Sequence, residues 1–150
     1  MKITGYKIRN YTYNMDRALG DANLPGGSGT WMAGSFLYIE TDEGITGMSL
    51  GGNAAVATLF PTIEGQDPRG VVGLWKKMQD IVFKGGNEGA ANAALCAIDI
   101  ALWDLKAKIA DEPLWRTLGA AEPRTKAYAS GIGMNLTDEE IHHFYSRMAD

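Results

Sequence analysis

Asp99 and Asp104, on either side of Trp103, are the first residues whose types could do chemistry, since two convergent carboxylates can serve as general acid and base. Five residues apart on a helix, they point too far apart in angle to converge easily, and Lys108 stands four residues beyond Asp104 as a natural surface partner. The spacing favours a structural role. Cys96 is the single cysteine, so an intrachain disulfide and every multi-cysteine zinc pattern are excluded. Between Leu95 and Ala97 it reads as a small core residue rather than a nucleophile. His142 and His143 are neighbours, about 100° apart on a helix, and cannot close a metal site without help. They read as solvated positions. Gly26-Gly27-Ser28-Gly29 has the glycine content of a phosphate cradle but lacks a following Lys-Ser/Thr and opens no convincing helix.

Two groups remain as candidate substrate-binding residues. Arg17, Asp21, Asn23 and Trp31 lie on a glycine-rich segment from Asp16 to Gly34. Donors, an acceptor and an aromatic on a flexible segment are what a lid over a polar ligand needs, although plain surface decoration accounts for them equally well. Ser130 ends an expected strand just before Gly131, the kind of position from which an α/β barrel presents a side chain to its ligand. No catalytic constellation is present, and no metal-ligand set.

The elements that must position these residues follow from periodicity. Lys2 to Tyr13 carries Ile3, Tyr6, Ile8, Tyr11 and Tyr13 and reads as a strand. Asp16 to Gly34 reads as a long loop. Ser35 to Thr41 and Ile45 to Leu50 form two strands around a turn at Gly44, giving an antiparallel meander. The period then lengthens to about 3.6. Asn53 caps a short helix from Ala54 to Phe60 that Pro61 ends, and Asp67-Pro68 starts a second helix with Val71, Leu74, Trp75, Met78, Ile81 and Val82 on one face and Gly85-Gly86 as its stop. In the third helix, Glu88 to Ala110, the stripe Ala91, Leu95, Ile98, Leu102 and Leu105 faces a core. Leu114 to Gly119 is a short helical turn, and Ala120 to Pro123 a linker. Thr125 to Gly131 reads as a strand, and Thr137-Asp138-Glu139-Glu140 is a capping box opening a last helix. On residues alone this is an α+β domain followed by the start of an α/β unit.

Composition narrows the class. With 150 residues, 45% apolar and 21% charged, the chain can bury a real core and is not disordered. A formal net charge of −4, with no basic cluster longer than Lys76-Lys77, argues against nucleic acid. No apolar run has signal-peptide or membrane-span length, so the expectation is a cytoplasmic protein.

The run from Ala94 to Gly119 adds a more specific signal. Its Ala-rich start, Ile98-Asp99, Ala101-Leu102-Trp103-Asp104, a following lysine, Pro113-Leu114 and closing Leu118-Gly119 resemble the signature stretch of the mandelate racemase/muconate lactonizing subgroup of the enolase superfamily. The order of elements is similar too. The resemblance implies an N-terminal capping domain over residues 1–121, a meander plus helices, packed over the mouth of a modified (β/α)8 barrel. Residues 122–150 would be the barrel's first strand and helix, with Ser130 of the strand Ala127 to Ser130 facing the site. The loop from Asp16 to Gly34 and the turn from Leu50 to Asn53 would close over the substrate. It further implies a Mg2+ ion held by carboxylates on later barrel strands and a lysine or histidine base that removes a proton next to a carboxylate. All of those groups, catalytic and metal-binding, are expected beyond Asp150, and the chain is read as the first part of a longer polypeptide. The expected partners are a small-molecule carboxylate, the remainder of the barrel and further copies in a homo-oligomer. A loop rich in glycine and hydrogen-bonding groups suits a hydroxylated substrate, which favours dehydration of an acid sugar. Racemisation, epimerisation or cycloisomerisation on the same scaffold, or a non-catalytic binding module, are the alternatives.

Overall fold

A computed structural model of the chain describes residues 1–86 and 88–149. Its sheet has three strands in the order β1-β2-β3: β1 (Ile3–Asn14), β2 (Trp31–Thr41) and β3 (Thr46–Leu50). β2 and β3 run antiparallel, with Phe36 opposite Leu50 and Ile39 opposite Gly47. At the turn between them, the Thr41 hydroxyl donates to the Ile45 carbonyl at 2.8 Å. β2 begins at Trp31, four residues earlier than the composition suggests. Gly34, expected in the loop, lies within the strand, and glycine stands there because a Cβ would collide with the Tyr11 ring. Trp31 is accordingly a strand residue and not a loop residue. The loop proper is shorter, and the Met15 N–H donates to the Thr30 carbonyl at its base, 2.7 Å.

The helices are α1 (Val56–Leu59), α2 (Val71–Val82), α3 (Gly89–Ile109), α4 (Leu114–Thr117) and α5 (Asp138–Ala149). α3 supplies the largest share of the core, burying Ala94, Leu95, Ala97, Ile98, Ala101, Leu102, Leu105 and Ala107. Ala91, expected in that stripe, is exposed, because the first turn of α3 extends past the surface it packs on. α3 lies directly on β3. The close approach depends on Gly47: a Cβ there would collide with the Ala101 carbonyl oxygen and lie 2.8 Å from the Leu105 Cβ. With the sheet's inward residues Ile3, Leu37 and Ile39, the core is completed by Val56, Leu59, Ile63, Val71, Leu74 and Met78.

α2 differs from expectation at its start and on its face. Asp67 and Pro68 form a turn before the helix: Asp67 Oδ1 accepts from the Arg69 N–H at 3.0 Å and its carboxylate pairs with the Arg69 side chain, so Gly70 occupies the N-cap. The Arg69 guanidinium and backbone hold the Asp67 carboxyl well below the usual carboxylate range. Trp75 and Ile81 are 40% and 50% exposed, since only Val71, Leu74, Met78 and Val82 point squarely at the core. Asn53 Oδ1 accepts from the Ala55 N–H at 2.8 Å and so supports the entry to α1.

The chain divides into two compact units, Met1–Tyr11 with Gly34–Pro123, and Thr12–Ala33 with Arg124–Asp150. In the second unit the strand expected over Thr125 to Gly131 is not formed. A strand is stabilised by the ladder its neighbours complete, and among the described residues the only pairing nearby is an isolated parallel bridge between Gly20 and Gly133. The expected capping box is present: the Glu140 N–H donates to Thr137 Oγ1 at 3.3 Å, and the Thr137 N–H donates to Glu140 Oε2 at 2.8 Å.

Candidate substrate-binding site

The loop after β1 is shaped by its own polar groups. Asp21 Oδ1 accepts from the N–H groups of Asn23 and Leu24, at 2.8 and 2.9 Å, which closes an Asx-type turn. The Ser28 N–H reaches back to the Leu19 carbonyl at 3.0 Å. Asp21 thus turns one carboxylate oxygen to the loop's own backbone, and Asn23 sits exposed within the same turn. Past this turn the loop joins the segment before α5. Gly20 donates to the Ile132 carbonyl at 3.1 Å and accepts from the Met134 N–H at 3.0 Å.

Within this unit lies a cavity of about 660 Å³. Arg17 and Leu19 line it from the loop, Ser130 and Gly131 from the segment before α5, and two rows of residues spaced by four from the helix itself. Those rows are Glu139-His143-Arg147 and Glu140-Phe144-Met148. Arg17 and Ser130 are therefore the two sequence candidates brought to one cavity, whereas Asp21, Asn23 and Trp31 do not line it. Trp31 is 68% exposed on β2. His143 and Arg147 were missed as lining residues, although the spacing of four from Glu139 carried the signal. Hydrogen bonds from the Thr137 backbone and hydroxyl hold the Glu140 carboxyl below its ordinary pKa, with a smaller contribution from Arg17.

In the first unit, Asp104 is structural, as its spacing suggests. Its Oδ2 accepts from the Met48 N–H at 2.8 Å and from Lys108 Nζ at 2.7 Å, tying α3 to β3. Asp99 is half-buried, and burial raises its pKa. Cys96 is exposed rather than a core residue, because the helical period places it beside Asn92 on the outer side of α3. A second hollow of about 390 Å³ on this unit has Lys7, Arg9 and Lys108 around it. Each of these cations already has a partner, in Glu40, the Tyr38 ring and Asp104 respectively. Among the described residues no group of three or more His, Cys, Asp or Glu side chains could hold a metal ion. These residues do not fit a magnesium site, and no step through the ion is assigned to them. Nor is any helix among them long and apolar enough to cross a membrane.

Residues 30–119 match the family model for the mandelate racemase/muconate lactonizing enzyme N-terminal domain. The chain is 36% identical over 108 residues to a 3,6-anhydro-alpha-L-galactonate cycloisomerase from Streptomyces coelicolor, covering 65% of this chain and 30% of that protein. It is 32% identical over 111 residues to a D-galactonate dehydratase family member from a Marinomonas species, covering 67% of this chain and 27% of that protein. A crystal structure of a racemase from Streptomyces coelicolor A3(2) with bound magnesium superposes with a TM-score of 0.84 at 29% identity, over 98% of this chain and 43% of that one. The chain belongs to the mandelate racemase/muconate lactonizing enzyme family of the enolase superfamily, and its three-stranded sheet with the helices α1 to α4 forms that family's N-terminal capping domain. It spans less than a third of the length of the two curated relatives.

Proposed function

We propose that this chain is the cap and barrel start of an enzyme that abstracts the proton alpha to a carboxylate, and that the reaction is dehydration of an acid sugar. The observation that carries the reading is the cavity shared by the loop, through Arg17 and Leu19, and by Ser130. A lid closing over a polar substrate requires a wall of this kind, with polar side chains set among apolar ones. Arg147 gives it a cationic group suited to a carboxylate. In this reading residues 1–121 are the cap and 122–150 the barrel start. Ser130 contacts the substrate, Asp21 and Asn23 set the shape of the loop, and Trp31 flanks its base. The names of the curated relatives support sugar-acid chemistry, and one of them favours cycloisomerisation as the second reading.

Loss of the alpha proton and of a beta hydroxyl, as water, would leave an enol that becomes a 2-keto-3-deoxy acid. The base, the magnesium ligands and any general acid belong to the remainder of the barrel in this proposal, as do a cytoplasmic location and a homo-oligomeric assembly. The test is turnover of a panel of aldonates and aldarates by the full-length protein with Mg2+, read as 2-keto-3-deoxy acid formed. Formation of that product from at least one acid supports dehydration, whereas isomerised product without it moves the assignment to cycloisomerase, racemase or epimerase. No reaction of any acid leaves the binding-module reading in its place.

A further inference from the structure

Arg17 makes more contacts within the second unit than a side chain waiting for a ligand should. Its Nη1 donates to the Ala18 carbonyl at 3.1 Å and to the Ile132 carbonyl at 3.4 Å, and its Nη2 donates to the Gly131 carbonyl. The guanidinium carbon lies 5.1 Å from the centre of the Phe144 ring. One planar group thereby touches the loop, the segment before α5, and α5 itself.

The carbonyls it reaches are not ordinary ones. Ile132 has φ +44°, a left-handed conformation that a β-branched residue adopts only under constraint. Its carbonyl is held by two donors, the Gly20 N–H at 3.1 Å and Arg17. The Gly131 N–H is fixed in turn by the Tyr145 hydroxyl at 3.1 Å, and Asn135 Nδ2 binds the Ala18 carbonyl at 3.1 Å. Without the guanidinium, Ile132 keeps one donor against its strain, and the bridge between Gly20 and Gly133 loses its brace. A lysine could not replace this arrangement, since a point charge neither forks across adjacent carbonyls nor stacks flat on a ring.

We propose that Arg17 is a positioning residue: it latches the loop of residues 15–30 onto the Gly131-Ile132 turn, and it does not bind the substrate directly. The function assigned to the latch, holding the lid over the substrate, rests on the reading given under Proposed function; the latch itself does not. Opening the latch lowers the fraction of molecules in the closed state, which weakens apparent substrate affinity by that fraction and leaves the chemical step alone.

The experiment measures amide hydrogen exchange in the full-length protein and in Arg17→Met, Arg17→Lys and Arg17→Met/Ile132→Gly. In Arg17→Met, exchange at Gly20 and Met134 should rise by about tenfold, with Ile98 and Leu102 in α3 unchanged. Arg17→Lys should fall between this variant and the parent. Adding Ile132→Gly should restore much of the protection, because the strain the latch opposes is gone. In a further variant, Arg17→Gly, added methylguanidinium should likewise restore protection at Gly20 and Met134. Unchanged protection at Gly20 and Met134 in Arg17→Met would overturn the latch. Should that variant lose protection in α3 as well, Arg17→Lys decides by the same amides. With whichever sugar acid the panel shows to react, Arg17→Met should raise KM about tenfold and keep kcat within about twofold. Lost protection with an unchanged KM would leave the latch standing and refute the lid.

Discussion

At the scale of single residues, the tightest constraint is Gly47, where β3 lies directly against the Ala101 carbonyl of α3. Gly47→Ala drives a Cβ into the Ala101 carbonyl and should lower stability by about 1–3 kcal/mol, seen as a lower urea midpoint at unchanged slope. An unchanged midpoint would mean that α3 can back away from the sheet. Leu102→Ala, at a fully buried position of α3, should cost about 2–5 kcal/mol by the same measurement. That position was legible in the apolar spacing, and so was the pairing of Asp104 with Lys108. Cys96 was misread because its neighbours in sequence are buried. Its neighbours on the helix surface are Asn92 and Ile100, the latter 51% exposed, and these place it on the outer side. Arg17 could be identified from sequence as a candidate, but its contacts could not, since they join residues more than a hundred positions apart.

Among the elements, α5 is the one whose local signals matter most, for it has no buried residue and depends on its cap. Thr137→Ala should lower its local stability by about 0.5–2 kcal/mol, measurable as faster amide exchange across its first turns. The cap also gives α5 a pH dependence. Hydrogen bonds from Thr137 hold Glu140 below its ordinary pKa in the folded state, so this contribution is complete above the ordinary carboxylate range and disappears as pH falls through the lowered folded value. Glu140→Ala should therefore loosen α5 at neutral pH and make no difference once the carboxyl is protonated in the parent. An equal loss at both extremes would remove the carboxylate from the account. The capping box was readable because all its parts lie within four residues. By contrast, β-type composition over Thr125 to Gly131 did not produce a strand, since a strand depends on a neighbour that composition cannot supply. The start of α2 was misplaced for a local reason: Asp67 closes a turn with Arg69 before the helix begins.

For the whole molecule, the family was legible in the run from Ala94 to Gly119, where a core stripe and the aspartates Asp99 and Asp104 fall in one helix. The substrate was not, because the groups that would choose among dehydration, isomerisation and racemisation are not identifiable in this chain. In the proposed reading, the chain contributes to specificity through the loop and the base of its lid. Trp31→Ala in the full-length protein should shift KM or substrate preference by several-fold with little change in kcat, the signature of lost binding rather than lost chemistry. An identical kinetic profile across the whole panel would remove Trp31 from the lid.

The central claim is best tested by incubating the full-length protein with Mg2+ and the sugar-acid panel in D2O, following the alpha proton by NMR. Our account predicts that at least one sugar acid exchanges that proton or loses it to dehydration, and that the reaction stops when Mg2+ is chelated. A folded protein that leaves the alpha proton of every acid untouched would contradict the account and leave a binding module in place of an enzyme.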